Sequence, residues 1–259
     1  IELSGTGNRA GGVVIRAGSS IDAGDSLLVL RADSGPGDAV DIQGSIHSSV
    51  GVNLRPGGVD ANGGLTEATS DRIVLGSNVG QIGDSAFFLS NAELALIDTP
   101  ELIIGSNLHA GAIQVLGGVS REGNLTLQNN GGTGGIDIQA ALDVGDGTLA
   151  LSSGGSITQA SAGVISAHSL LAQVGGDVLL AAALNDVANT TLAGSAGGDF
   201  EFQDANTLAI GSVSAIGFDA SSGQLSSFAG TGITAGGDAF VRNLQGDLTL
   251  NAGVTATNI

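Results

Sequence analysis

The chain contains no cysteine, methionine, tryptophan, tyrosine or lysine, and only three prolines. Without cysteine it forms no disulfide, so an oxidising compartment is neither required nor excluded. Scarce proline, with glycines that do not recur at every third position, excludes a collagen helix. The seven basic residues are all arginines (Arg9, Arg16, Arg31, Arg55, Arg72, Arg121 and Arg242), against 25 acidic residues and a net charge of −18. A polyanion is repelled by such a surface, and no basic stripe with interleaved aromatics offsets this, so neither nucleic acid nor an anionic membrane is an expected partner. The longest apolar run, Val178 to Leu184, is far short of the ~20 residues of a membrane helix; membrane insertion is not expected. No initiator Met, charged n-region or apolar h-region opens the sequence at Ile1, which reads as a processed product or a piece of a longer secreted protein.

What is present is glycine, 45 residues of it, beside 42% hydrophobic residues. Disordered chains lack that aliphatic content, so the glycines must punctuate short apolar strands. Val13-Val14-Ile15, Leu125-Thr126-Leu127, Ile136-Asp137-Ile138, Leu149-Ala150-Leu151, Phe200-Glu201-Phe202 and Leu248-Thr249-Leu250 carry the period of two expected of a strand with one buried face. No stretch sustains a helical period. Turn signals separate the strands at Gly37-Asp38, Asn62-Gly63-Gly64 and Gly154-Gly155, and at the triplets Gly175-Gly176-Asp177, Gly197-Gly198-Asp199 and Gly236-Gly237-Asp238. The triplets are 22 and 39 residues apart, which reads as one and two units of about 20 residues. The fold predicted is all-β, a parallel β-solenoid over residues 1–259 as a single domain, with coils of about 20 residues. About a dozen coils would span roughly 60 Å at the inter-strand spacing.

The blocks Glu93–Val119 and Leu149–Val213 resemble the coils of filamentous-haemagglutinin-like exoproteins, adhesins exported by two-partner secretion. The resemblance covers nearly half of the chain; the remainder matches in composition and rhythm. It implies a right-handed parallel β-helix, export by an outer-membrane partner, and work at the bacterial surface or in a biofilm. That family's amino-terminal secretion domain carries Asn-Pro-Asn motifs, and no Asn-Pro pair occurs here, which places this piece downstream, in the shaft. The expected function is an adhesin stalk that contacts polysaccharide or surface glycan weakly and multivalently. The alternatives are a protomer that self-associates end to end into a filament and, more distantly, a β-helix polysaccharide lyase or hydrolase.

No residue is singled out as catalytic, cofactor-binding or metal-binding, and no cofactor is expected. Gly131-Gly132-Thr133-Gly134-Gly135-Ile136-Asp137 nearly matches a calcium-binding nonapeptide, but the aspartate falls one place late and would face the opposite side of a strand. Gly5-x-Gly7-x-x-Ala10 echoes a dinucleotide fingerprint, yet strand follows where a helix should begin, so it reads as a turn. His47, His109 and His168 stand singly, without metal-ligand spacing, and read as solvated turn or strand residues. No adjacent acidic pair marks glycosidase or lyase chemistry, although carboxylates from different coils could converge. Phe200, Phe202 and Phe240 are assigned to one interior ladder. Of Phe87 and Phe88 one is expected to be exposed, near an irregular run from Asn91 to Thr99 that reads as a loop, coil insertion or contact surface.

Overall fold

The computed structural model describes residues 1–5, 12–32, 40–59, 65–67, 70–77, 86–187 and 191–259. Over these the chain is all β except for one four-residue helix, Asn91–Leu94. The strands Glu2–Gly5, Leu28–Ala32, Val52–Val59, Glu101–Ser106, Asn124–Asn129, Thr148–Ser153, Ser169–Val174 and Thr191–Ala196 pair in that order, all parallel. Neighbours in this long sheet are successive passes of the chain, the arrangement a solenoid requires.

Period-two alternation becomes a pair of columns when such passes stack in register. Leu102, Leu125, Leu149, Leu170 and Leu192 occupy one inward column and are fully buried. Each contributes about 1.5–3 kcal/mol by leaving water. A second parallel sheet holds Arg72–Leu75, Ile113–Val115, Ile136–Ile138, Ile157–Gln159, the start of Val178–Val187, Phe200–Asp204 and Ala239–Asn243. A third face is made of short strands, Ser20–Asp22, Ser45–His47 and Ile97–Asp98 in one group, then Val119–Ser120, Leu142–Asp143 and Ile165–Ala167 in another. One continuous apolar core lies between the three.

The glycine pairs mark the corner between the first two faces. A Cβ on Gly175 would lie 2.5 Å from the carbonyl oxygen of Gly154, on Gly197 2.1 Å from that of Gly175, and on Gly236 2.2 Å from that of Gly197. Backbone approaches backbone so closely there that only glycine fits.

Gly197 and Gly236 lie one pass apart, because Phe200 pairs with Ala239 and Gly237 donates its N–H to the Gly198 carbonyl. The 39-residue interval is therefore one turn with an insertion. The long sheet's next strand is split: Leu208–Ile210 pairs with Thr191–Leu192, and Ile233–Ala235 continues along Gly194–Ala196. Between the halves an antiparallel hairpin, Ser212–Asp219 with Gln224–Thr231, leaves the stack at Gly211 and returns at Gly232.

This hairpin folds back as a strap over the outward side of the long sheet. Val213 and Ala215 pack on Ala150, Leu171 and Ala193, and Phe218 is enclosed by Val29 and Ile103 with the Arg55 guanidinium 4.3 Å from its ring centre. Thr126 donates to the Ile216 carbonyl, the Phe218 N–H donates to Gln128, and Asn107 donates to Asp219. The outward column Val29, Asn53, Ile103, Thr126, Ala150, Leu171 and Ala193 is mostly apolar because the strap covers it.

Several expectations are corrected. Phe240 pairs with Glu201 and points outward, 51% exposed, while Ala239 takes the inward place beside Phe200. It follows its Gly-Gly pair one residue later than Phe200 does, and one residue reverses the face. Phe87 and Phe88 are both buried, Phe87 in the core and Phe88 on the outward side among Val74, Ala86 and Leu116. The run from Asn91 opens with the helix, started by a capping box between Ser90 and Glu93. Among the described residues the long sheet's path has ten strands, against about a dozen coils expected, roughly 45 Å of stack. The strap absorbs part of the missing length, and the 50 residues between Leu54 and Ile104 add a single level to the long sheet. The turns at Gly37-Asp38 and Asn62-Gly63-Gly64, and the Gly7–Ala10 part of the first motif, lie outside the described residues.

Candidate functional site

The repeated Gly-Gly-Asp corners build a ladder of side chains along one flank. Ser156 Oγ accepts the N–H of Asp177, Asp177 Oδ1 accepts the N–H of Asp199 at 2.9 Å, and Asp199 Oδ1 accepts that of Asp238 at 2.8 Å. Asn258 donates to Asp238 Oδ1 at the last rung. The second glycine of each pair makes room for this reach: a Cβ on Gly198 would lie 1.9 Å from Asp177 Oδ1, and one on Gly237 2.1 Å from Asp199 Oδ1. Carboxylates from different passes thus converge as a column, with Asp199 and Asp238 exposed.

Beside the ladder runs the outward row of the second sheet: Gln114, Asp137, Thr158, Leu179, Glu201 and Phe240. Thr158 donates to Asp137 Oδ1 at 3.0 Å and Gln139 donates to its Oδ2 at 2.6 Å. The aspartate of the calcium-like motif is therefore engaged by neutral donors, Gln139 from its own pass and Thr158 from the next. Two shallow depressions of about 410 and 390 Å³ meet at Thr158 and extend along the row from Ala112 to Glu201. An acidic, linear surface with apolar patches at Leu179 and Phe240 and a repeat along its length can meet a chain-like ligand through many similar, shallow contacts.

Replacing Asp199 by alanine removes the acceptor of the Asp238 N–H and is expected to lower stability by about 1 kcal/mol. Asp199→Asn keeps an acceptor and relieves repulsion from Asp177 and Asp238, so its denaturant midpoint should equal or exceed that of the parent. Equal losses for both variants would show that the ladder does not cap the corner.

Elsewhere the titratable groups serve the fold. Burial raises the Asp204 pKa against hydrogen bonds from the Val187 and Asn206 N–H groups, with nearby Asp186 raising it further. Burial raises that of Glu101 despite its bond from Asn124. His47 lies on the surface 2.9 Å from Asp98, and His168 is exposed. His109, expected to be solvated, is 2% exposed, and burial pushes its pKa down to about 4. Among the described residues no three His, Cys, Asp or Glu side chains gather as metal ligands, and no helix is long and apolar enough to cross a membrane. Comparison with protein-family models, with curated proteins and with solved structures finds no match.

Proposed function

We propose that the chain is a shaft segment of a secreted bacterial surface protein of the filamentous-haemagglutinin-like kind, wound as a right-handed β-helix with coils of about 20 residues. In this reading it is exported by an outer-membrane partner and acts as an adhesin stalk rather than an enzyme. The observation that carries the reading is the in-register stack itself, with its Leu102-to-Leu192 column inside and a repeated polar flank outside. Such a flank offers polysaccharide or surface glycan one shallow contact per pass, each weak and together additive.

The test combines scattering with binding. Purified chain should scatter as a rod, and its apparent affinity for a binding polysaccharide should rise at least tenfold from short oligosaccharide to polymer. Affinity independent of length would remove the stalk reading, and release of shortened sugar would replace it with an enzyme. A second reading is an end-to-end filament, in which the in-register parallel stack continues from one copy of the chain to the next. Electron microscopy at rising concentration distinguishes the two, because only a filament protomer lengthens into uniform fibres.

A further inference from the structure

The two edges of the strap are held differently. In an antiparallel pair, residues that bond across the pair alternate with residues whose N–H and C=O point away from it. At the base Gly232 donates to Gly211, which fixes the alternation along the strap. Ser212, Ser214, Ile216 and Phe218 therefore turn their backbone groups to one outer edge. Leu225, Ser227, Ala229 and Thr231 turn theirs to the other. On the first edge Ile216 accepts from Thr126, while Phe218 donates to Gln128 and accepts the Asn107 N–H. On the second, the Ala229 carbonyl accepts from the Gln173 side chain. Among the described residues no partner meets the outward groups of Leu225 and Ser227 or the Ala229 N–H. Gln224, Ser227, Ala229 and Thr231 are exposed.

An open edge is a template for another strand, and sheets ordinarily blunt it with charge, proline or a bulge. Gln224–Thr231 has none of these. Its eight residues include no Asp, Glu, Lys, Arg or Pro, and its register with Ser212–Asp219 is unbroken from end to end. The whole chain carries a net charge of −18, so two copies repel wherever charged faces meet. Along this edge no charge opposes them. The edge offers no counter-charge to a basic or an acidic partner, and the strand it matches is its own. Laid antiparallel about a twofold axis at Ser227, it sets Ser227 opposite the second copy's Ser227 and Leu225 opposite the second copy's Ala229. Each such pair brings outward N–H and C=O groups face to face. The Ala229 carbonyl, already beside Gln173, has a second lone pair for this bond.

We propose that the chain pairs with a second copy of itself through this edge, the two straps joining as one four-stranded antiparallel sheet. Because the strap runs along the stack, from Ala193 past Ala150 to Val29, the two stacks lie side by side and point in opposite directions. The contact is isologous and closes at two copies, whereas end-to-end stacking propagates. An edge this short buries less than a standard interface of ~1,600 Å², so the pair is weak and reversible.

The test is sedimentation equilibrium of the whole chain at concentrations up to about 1 mM. Monomer and dimer should be the only species. The dimer should strengthen several-fold from low salt to roughly 0.5 M salt, where repulsion between the two net charges is screened. Ser227→Lys should weaken it by about tenfold or more, because two like charges then stand directly opposite. Ser227→Asp should do the same, and an equimolar mixture of the two variants should recover the dimer. Ser214→Lys, the same change on the other strand of the strap, should leave it as in the parent. A chain that stays monomeric at about 1 mM, or one that forms larger oligomers, would overturn the proposal. So would a Ser227→Lys dimer as strong as the parent's, or Lys and Asp variants that fail to pair in mixture, since either result places the contact elsewhere.

Discussion

Replacing Phe218 by alanine is expected to lower the stability of the chain by about 3–5 kcal/mol, the range for a buried phenylalanine. Phe218 is fully buried at the far end of the strap, between Val29 and Ile103 and beneath the Arg55 guanidinium. Its removal leaves a cavity, uncovers an arginine that is 3% exposed and unseats the turn at Asp219. In a stack where each pass touches only its neighbours, local damage stays local. The strap connects the Leu28–Ala32 pass to the Thr191–Ala196 pass directly, so loosening it should also broaden the unfolding transition. Urea melts of Phe218→Ala beside Phe228→Ala, which alters a half-buried ring nearer the strap's return, check this. A Phe218→Ala midpoint no lower than that of Phe228→Ala would mean that the strap lies on the sheet without holding it.

The second large effect is a loss of stability on acidification. Neutral His109 is buried, and its pKa falls from an ordinary 6.5 to about 4. Between those values the unfolded chain takes up a proton that the folded chain refuses, so stability falls as pH falls through the window, by about 3 kcal/mol in full. Below about pH 4 His109 adds no further dependence. Glu101 and Asp204, whose pKa values burial raises, act in the opposite sense, since their contribution is present at low pH and is lost as pH rises through their folded values. The informative quantity is the difference between the parent and His109→Leu. From pH 7 to 4 the difference in unfolding free energy should shift by about 3 kcal/mol in favour of the variant, and parallel profiles would show that His109 is not the group responsible.

The core was legible in the sequence because a stacked sheet turns alternation into columns, and Leu125, Leu149 and Leu170 already stood at matching places in their strands. The strap was not, since Ser212–Ala215 alternates like a pass inside the stack and nothing in Gln224–Thr231 marks it as leaving the stack. Period two reports that one side is covered, not what covers it. The offset that turns Phe240 outward was readable by counting from Gly236, whereas the burial of His109 depends on packing that no local pattern records. The flank had a visible trace in its Gly-Gly-Asp triplets. What the triplets could not disclose is that each carboxylate reaches to the following pass.

That reach gives the stack a direction. In every rung the acceptor belongs to the earlier pass and the donor to the later one, from Ser156 to Asp177 to Asp199 to Asp238. A finished pass therefore presents an oriented side-chain acceptor at the corner where the next must turn, while the next returns only its backbone carbonyls, Asp199 to the Val178 N–H and Asp238 to the Phe200 N–H. Growth from the amino-terminal side adds each corner to a template already in place; growth from the other side must order two corners together. A chain delivered amino terminus first can wind itself pass upon pass, each closing step local and each one a mould for its successor.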